Sequence, residues 1–190
     1  MSGIENFLNG NIRFSEGDFL DNRDYHHQIR QEQKPTLLWI GCADSRVCPT
    51  TITNSRLGQI FVHRNIANIV SVDDNSMTAV LEYAIGYLNI LDIVDCGHYN
   101  CGGIQAVEVG IYSPVISNWL QPAVEILAAV RDDDNLTPTE RHQQLVKVNV
   151  RLQLTNLSHF PIVRDSAKPL RLHGWVYDLE SGKIQVVTSG

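Results

Sequence analysis

The chain has 190 residues, of which 43% are hydrophobic and 19% charged, and 15 Lys and Arg against 21 Asp and Glu give a formal net charge of −6. This composition excludes an intrinsically disordered chain, and the length predicts a single domain with a sizeable core. A negative charge without a basic cluster argues against a nucleic-acid surface, and no apolar run reaches the roughly 18 residues that span a bilayer.

The N-terminal segment is polar, with scattered apolar residues across positions 3–33, which predicts helical segments with few core anchors. It has no secretory h-region and is too acidic for a transit peptide. We therefore expect a soluble, intracellular protein. The expected location is the cytoplasm, or an organelle if a targeting peptide precedes this chain.

Three short apolar runs, at residues 36–41, 60–62 and 90–94, predict strands. Because each run is apolar on both faces, a parallel sheet covered by helices is expected. Residues 77–88 and 116–130 have the spacing of helices.

A further helix is predicted from the capping box Thr137-Pro138-Thr139-Glu140 to about residue 157. Alternation over residues 170–176, a turn at 180–182 and a last apolar run at 184–187 predict a closing hairpin. The expected fold class is α/β, with a mostly parallel central sheet flanked by helices and a late strand hairpin.

Reactive residues follow each of the first three predicted strands. The segments are Cys42 to Arg46, Arg64-Asn65, and Cys96 to Gly103. Since sites in open parallel sheets form beyond the carboxyl ends of the strands, we expect these segments to meet.

His98 and Cys101 have H-x-x-C spacing, and Cys42 could supply a third ligand to the same ion. Two thiolates and an imidazole suit Zn²⁺, and three protein ligands leave the fourth position open, as in catalytic sites. On spacing alone, a core cysteine beside an ordinary histidine is the commoner explanation of such a pair.

Two strings, Cys42-Ala43-Asp44-Ser45-Arg46-Val47 and Gly97-His98-Tyr99-Asn100-Cys101-Gly102-Gly103, resemble the signature motifs of the β-class carbonic anhydrases. A third family stretch resembles residues 61–68, and the segments 82–84 and 173–178 also fit. The resemblance runs from about Asn11 to the end of the chain, with the motifs in the family's order.

The resemblance implies one Zn²⁺ per chain on Cys42, His98 and Cys101, and reversible hydration of CO₂ to bicarbonate and a proton by zinc-bound hydroxide. It implies that Asp44, held by Arg46, orients the metal-bound water. In one subgroup of the family the residue matching Asp44 becomes a fourth zinc ligand in a closed state, and the residue matching Arg46 is released. Because two thiolates cancel the charge of zinc, we expect the water to be acidified less than at an all-histidine site, so that activity rises above neutral pH.

The resemblance also implies a substrate pocket shared with a second subunit of a homodimer or homotetramer, lined by Gln33, Phe61, Ile66, Tyr83 and Gly102. For Phe61 and Ile66, ordinary core packing is the alternative. Residues 1–34 are expected to form a helical arm that embraces the partner, and residues 35–190 the α/β core of the single catalytic domain.

In one subgroup of the family, residues matching Trp39, Gly41, Arg64 and Tyr177 form a non-catalytic bicarbonate pocket that regulates the enzyme. The two aromatic residues could equally be buried strand residues, so this allosteric pocket is a weaker expectation.

Three other functions are considered. The same zinc site could hydrolyse carbonyl sulfide or carbon disulfide, since pocket access decides the substrate. A non-catalytic zinc protein that senses bicarbonate would have no use for the Asp44–Arg46 pair. A thiol redox protein is disfavoured because there is no C-x-x-C.

Three residues lie outside the family pattern. Cys48 and Cys96 are expected to be small buried hydrophobes. Asp95 interrupts an otherwise apolar strand, and nothing in the sequence explains it.

Overall fold

The computed structural model describes residues 3–110, 113–130 and 135–189, and the chain divides into two compact units, residues 1–34 and 35–190. The first unit is helical, as the sequence predicts. Its helices are α1 (Gly3–Glu16), α2 (Asp18–Asp21) and α3 (Arg23–Gln31). None of the residues of α1 is buried, so its apolar side chains face outward.

The second unit is built on a five-stranded sheet. The strands are β1 (Leu37–Cys42), β2 (Ile60–Asn65), β3 (Asp92–His98), β4 (Arg171–Tyr177) and β5 (Ile184–Ser189). Their order across the sheet is β2-β1-β3-β4-β5; the first four are parallel, and β5 pairs antiparallel with β4. The α/β class, the mostly parallel sheet and the late hairpin are confirmed.

The helices of the second unit flank this sheet. They are α4 (Pro49–Ile52), α5 (Asn75–Leu81), α6 (Gly102–Val109), α7 (Pro114–Leu120), α8 (Ile126–Val130), α9 (Pro138–Leu157) and α10 (Pro161–Arg164). Leu38 and Ile40 of β1 pack against the α5 side, whereas Trp39 packs with Val94 and Cys96 on the opposite face. Of the described helices, none combines the length and the apolar character needed to cross a bilayer.

Two predicted helices differ from the structure. The helix expected over residues 77–88 starts at Asn75 and continues from Glu82 to Tyr87 as a π-helix. The single helix expected over residues 116–130 is wrong: a 3₁₀ turn at Gln121–Ala123 separates α7 from α8. Pro122 lies in that turn and has no N–H to continue an α-helix.

The capping box of α9 is confirmed. The Thr137 hydroxyl accepts a hydrogen bond from the Glu140 N–H, and the Glu140 carboxylate accepts one from the Thr137 N–H. This long helix packs against β3 and β4, and so it covers the strand that carries His98.

Candidate metal centre

The ends of β1 and β3 bring together two cysteines and a histidine. Cys42 is the last residue of β1, His98 is the last residue of β3, and Cys101 directly precedes α6. All three are buried, and their ligand atoms all lie within 4.8 Å of one another. The sequence placed His98 just beyond a shorter strand, but pairing with β4 extends β3 to include it.

The donor atoms fit a zinc ion. The two sulfur atoms are 3.9 Å apart, and sulfurs about 2.3 Å from a tetrahedral zinc stand roughly 3.8 Å apart. The Tyr99 carbonyl lies 3.0 Å from His98 Nδ1 and can accept its hydrogen, which leaves the lone pair of Nε2 available. Among the described residues, the buried Nε2 has no hydrogen-bond partner. It is therefore a buried acceptor that a metal ion would satisfy.

The thiols are prepared for metal binding. A hydrogen bond from the Cys101 thiol lowers the pKa of Cys42 to about 4. The same hydrogen bond, together with burial, raises the pKa of Cys101. Backbone N–H groups also stabilise the sulfurs, from Asp44 and Ala67 to Cys42 and from Gly103 and Ile104 to Cys101. Metal binding to such a pair requires deprotonated thiolates and so releases protons.

Asp44 stands at the edge of this cluster. Its Oδ2 is 3.7 Å from His98 Nε2, and Arg46 holds the carboxylate through its Nη2 at 2.7 Å. The hydrogen bond from Arg46 keeps the pKa of Asp44 well below its usual range. Arg46 also donates to the carbonyl of Asn100 at 3.2 Å, which links the Asp44 loop to the Cys101 loop.

Comparison with known proteins shows the family to which this chain belongs. The carbonic anhydrase family model matches residues 37–184. A carbonic anhydrase of Emericella nidulans is 35% identical over 173 residues, which is 85% of this chain and 73% of that protein.

Solved structures show which class of carbonic anhydrase this chain resembles. A structure described as one of two tetrameric β-carbonic anhydrases from Sordaria macrospora superposes with a TM-score of 0.93 at 33% identity, covering 98% of each chain. The Coccomyxa β-carbonic anhydrase in complex with acetazolamide superposes with a TM-score of 0.93 at 30% identity, covering 100% of this chain and 89% of that one. The chain belongs to the β-carbonic anhydrase family.

The residues expected to line a β-carbonic anhydrase substrate pocket are found in different environments. Phe61 is partly buried and stacks on Tyr83 at 5.9 Å between ring centroids. Core packing does not explain Ile66 and Tyr83, which are 47% and 44% exposed. Gly102 is exposed at the start of α6, where the helix itself leaves the first N–H groups unused. Gln33 is exposed in the N-terminal unit.

The residues of the expected allosteric pocket are partly engaged by the protein itself. Arg64 donates to the carbonyls of Cys42 and Asp44, at 2.8 and 2.6 Å. Trp39 is fully buried against Trp175, and its Nε1 has no hydrogen-bond partner among the described residues. With Tyr177 partly buried at the end of β4, the regulatory bicarbonate pocket of this β-carbonic anhydrase stays a prediction.

The turn beside the cysteines was not predicted from the sequence. Ala67 is buried in one cluster with Cys42 and Cys101, and both Ala67 and Asn68 have left-handed backbones, with φ of 62° and 48°. The only signal was that these residues lie within the family-like stretch 61–68. The expected burial of Cys48 is wrong, because it is exposed in the loop before α4, whereas Cys96 is buried as expected.

Proposed function

We propose that this chain catalyses the reversible hydration of CO₂ to bicarbonate with one zinc ion per chain. The observation that carries the proposal is the cluster of Cys42, His98 and Cys101, in which the buried Nε2 of the histidine lies within 4.8 Å of both sulfurs and has no hydrogen-bond partner among the described residues. Membership of the β-carbonic anhydrase family supports the choice of reaction.

Cys42, Cys101 and His98 would hold the metal. When bound, zinc supplies the Lewis acidity that makes water acidic enough to provide hydroxide for attack on CO₂. The backbone N–H groups that donate to both sulfurs stabilise the thiolates in their ionised form. The hydrogen bond from His98 Nδ1 to the Tyr99 carbonyl fixes the ring so that Nε2 faces the cysteines.

Asp44 and Arg46 orient the reacting water in this proposal. Because Arg46 lowers the pKa of Asp44, the carboxylate is ionised throughout the neutral range. It can therefore accept a hydrogen bond from the reacting water without becoming protonated itself. The two hydrogen bonds from Arg46 hold the carboxylate in one direction. Release of that hold would allow Asp44 to act as the fourth ligand of a closed state.

We infer that the working form is a homo-oligomer. Apolar side chains of α1 are exposed, among them Phe7 at 76% and Leu8 at 63%, and Ile66 and Tyr83 are exposed in the second unit. A second copy of the chain would remove such surfaces from water. We propose that the arm at residues 1–34 embraces that copy, and that Gln33, Phe61, Ile66, Tyr83 and Gly102 line the substrate pocket.

The metal ligands can be tested with a pair of cysteine variants. Cys101→Ser is expected to lower the zinc content well below one per chain and the rate of CO₂ hydration at least about a hundredfold, because one thiolate ligand is lost. Cys48→Ser, the matched control outside the cluster, is expected to keep both. Equal zinc content and activity in the two variants would contradict the proposed site.

A further inference from the structure

A carboxyl group is buried on the strand that carries His98. Asp95 lies on β3, three residues before His98, and its side chain is completely inaccessible to solvent. Its Oδ1 accepts a hydrogen bond of 2.8 Å from Asn68 Nδ2, whereas Oδ2 has no partner among the described residues. Burial raises the pKa of Asp95 well above its usual range, which favours the uncharged acid. The proposed reaction makes no use of it.

The partner of Asp95 lies in a strained turn. Ala67 and Asn68 adopt left-handed backbone conformations, which are disfavoured for alanine and persist only where the surroundings hold them. Asn149 Nδ2 donates to the Ala67 carbonyl at 3.2 Å, and Gln153 Nε2 fixes Asn149 at 2.8 Å. Asp95 holds the other residue of the turn through the Asn68 side chain.

This turn contacts the loops of both cysteine ligands. Ala67 is buried in one apolar cluster with Cys42 and Cys101. The methyl group of Ala67 packs against Gly103 so closely that a Cβ at position 103 would lie 2.8 Å from it. Gly103 lies two residues after Cys101, in the first turn of α6. A change in the backbone of Ala67 and Asn68 would therefore disturb the packing around both cysteines.

We propose that Asp95 is a positioning residue for the metal centre, which acts through Asn68 to hold the Ala67–Asn68 turn and so slows the loss of zinc. The proposal rests on the zinc site described above. The residue type at position 95 determines whether the hydrogen bond with Asn68 forms, because an apolar side chain there could not accept it.

Two substitutions at position 95 separate the hydrogen bond from simple packing. Asp95→Asn keeps a neutral side chain with an acceptor oxygen, whereas Asp95→Val is of similar size and has no acceptor. The measurement is the rate of zinc release from the purified protein into a chromophoric chelator, with the melting temperature recorded alongside. We expect Asp95→Asn to release zinc within about twofold of the parent rate and Asp95→Val about tenfold faster.

A substitution of the partner tests the route. Asn68→Gly permits the left-handed backbone but removes the side chain that Asp95 binds. It is expected to speed zinc release, and the double variant with Asp95→Val is expected to release zinc at the same rate as Asn68→Gly, because both substitutions remove one interaction. Independent, multiplying effects would overturn the proposal. If Asp95→Val does not fold, an unchanged rate of zinc release in Asn68→Gly overturns the proposal. Release from Asp95→Asn as fast as from Asn68→Gly also overturns it.

The parent protein distinguishes this inference from the proposed function. A parent that binds no zinc would contradict the proposed function itself. A parent that holds zinc, with Asp95→Val releasing it at the parent rate, would leave the proposed function standing and overturn only the role of Asp95.

Discussion

Arg46 binds both carboxylate oxygens of Asp44 through two nitrogens of its guanidinium group. Nε donates to Oδ1 at 2.9 Å and Nη2 donates to Oδ2 at 2.7 Å, while the Arg46 backbone N–H adds a third hydrogen bond to Oδ1 at 2.9 Å. Two parallel hydrogen bonds fix the direction of a carboxylate as well as its charge. The arrangement therefore suits Asp44 to orientation of a small reactant beside His98.

Removal of the Arg46 side chain should lower the rate of catalysis more than it lowers the stability of the fold. We expect Arg46→Ala to lower kcat/KM for CO₂ hydration at least about tenfold near pH 8.5, because Asp44 loses both side-chain hydrogen bonds and keeps only the one from the backbone N–H of residue 46. The Arg46 side chain is about half exposed, at 53%, so the melting temperature should change little. Arg151→Ala, at an exposed position of α9, is the control. Full activity in Arg46→Ala would show that the pair only orders the loop.

A methyl group at position 103 should damage the metal centre. In Gly103→Ala the added Cβ would lie 2.8 Å from the Cβ of Ala67 and 3.1 Å from Cγ2 of Ile66. We expect a loss of about 1–3 kcal/mol in unfolding free energy and faster zinc release, because the turn must move. Gly86→Ala meets nothing within 4 Å and serves as the control. Chemical denaturation measures the unfolding free energy of both variants, and a chromophoric chelator measures their zinc release. Equal stability of the two variants would refute this packing argument.

Charges on the apolar face of α1 should weaken the oligomer. Ile4, Phe7, Leu8 and Ile12 follow helical spacing and are all at least half exposed. We expect the double variant Phe7→Glu and Leu8→Glu to have a lower mass in light scattering than the parent, and the exposed polar control Asn11→Glu to retain the parent mass. An unchanged oligomer in the double variant would remove the proposed role of the arm.

Cys48 should be the most reactive thiol. Hydrogen bonds from the side chains of Thr51 and Thr50 lower its pKa to about 7, and it is exposed while the other three cysteines are buried. Since the thiolate is the nucleophile, alkylation by iodoacetamide should rise through pH 7 and level off above about pH 8. Mass spectrometry locates the modified residue. A rate still rising steeply at pH 9, as for an ordinary thiol, would contradict this.

The metal cluster could be predicted because its ligands follow predicted strands and because the two motifs that contain them resemble those of the family. Cys42 and His98 end neighbouring parallel strands, and strand ends of this kind meet at one edge of a sheet. The start of α9 was also predictable, because its capping box lies within four residues. The break at Pro122 could have been predicted from the missing N–H, but apolar spacing alone suggested one helix.

The support behind the metal centre could not be predicted in the same way. Asp95 and Asn68 are 27 positions apart, and Asn149 is 82 positions from Ala67. Neither separation follows a helical or strand period, so no sequence pattern pairs these side chains. The left-handed backbone of Ala67 is equally unexpected, because alanine has no intrinsic preference for it. Such contacts depend on the tertiary fold.

The most direct test of the central proposal is stopped-flow CO₂ hydration at about pH 7 and about pH 8.5, with zinc measured on the same sample. A site with two thiolates should bind about one zinc per chain and turn over faster at the higher pH, because the thiolates offset the charge of the metal. Removal of zinc by a chelator should abolish the activity. One zinc per chain with no hydration at either pH would contradict the account.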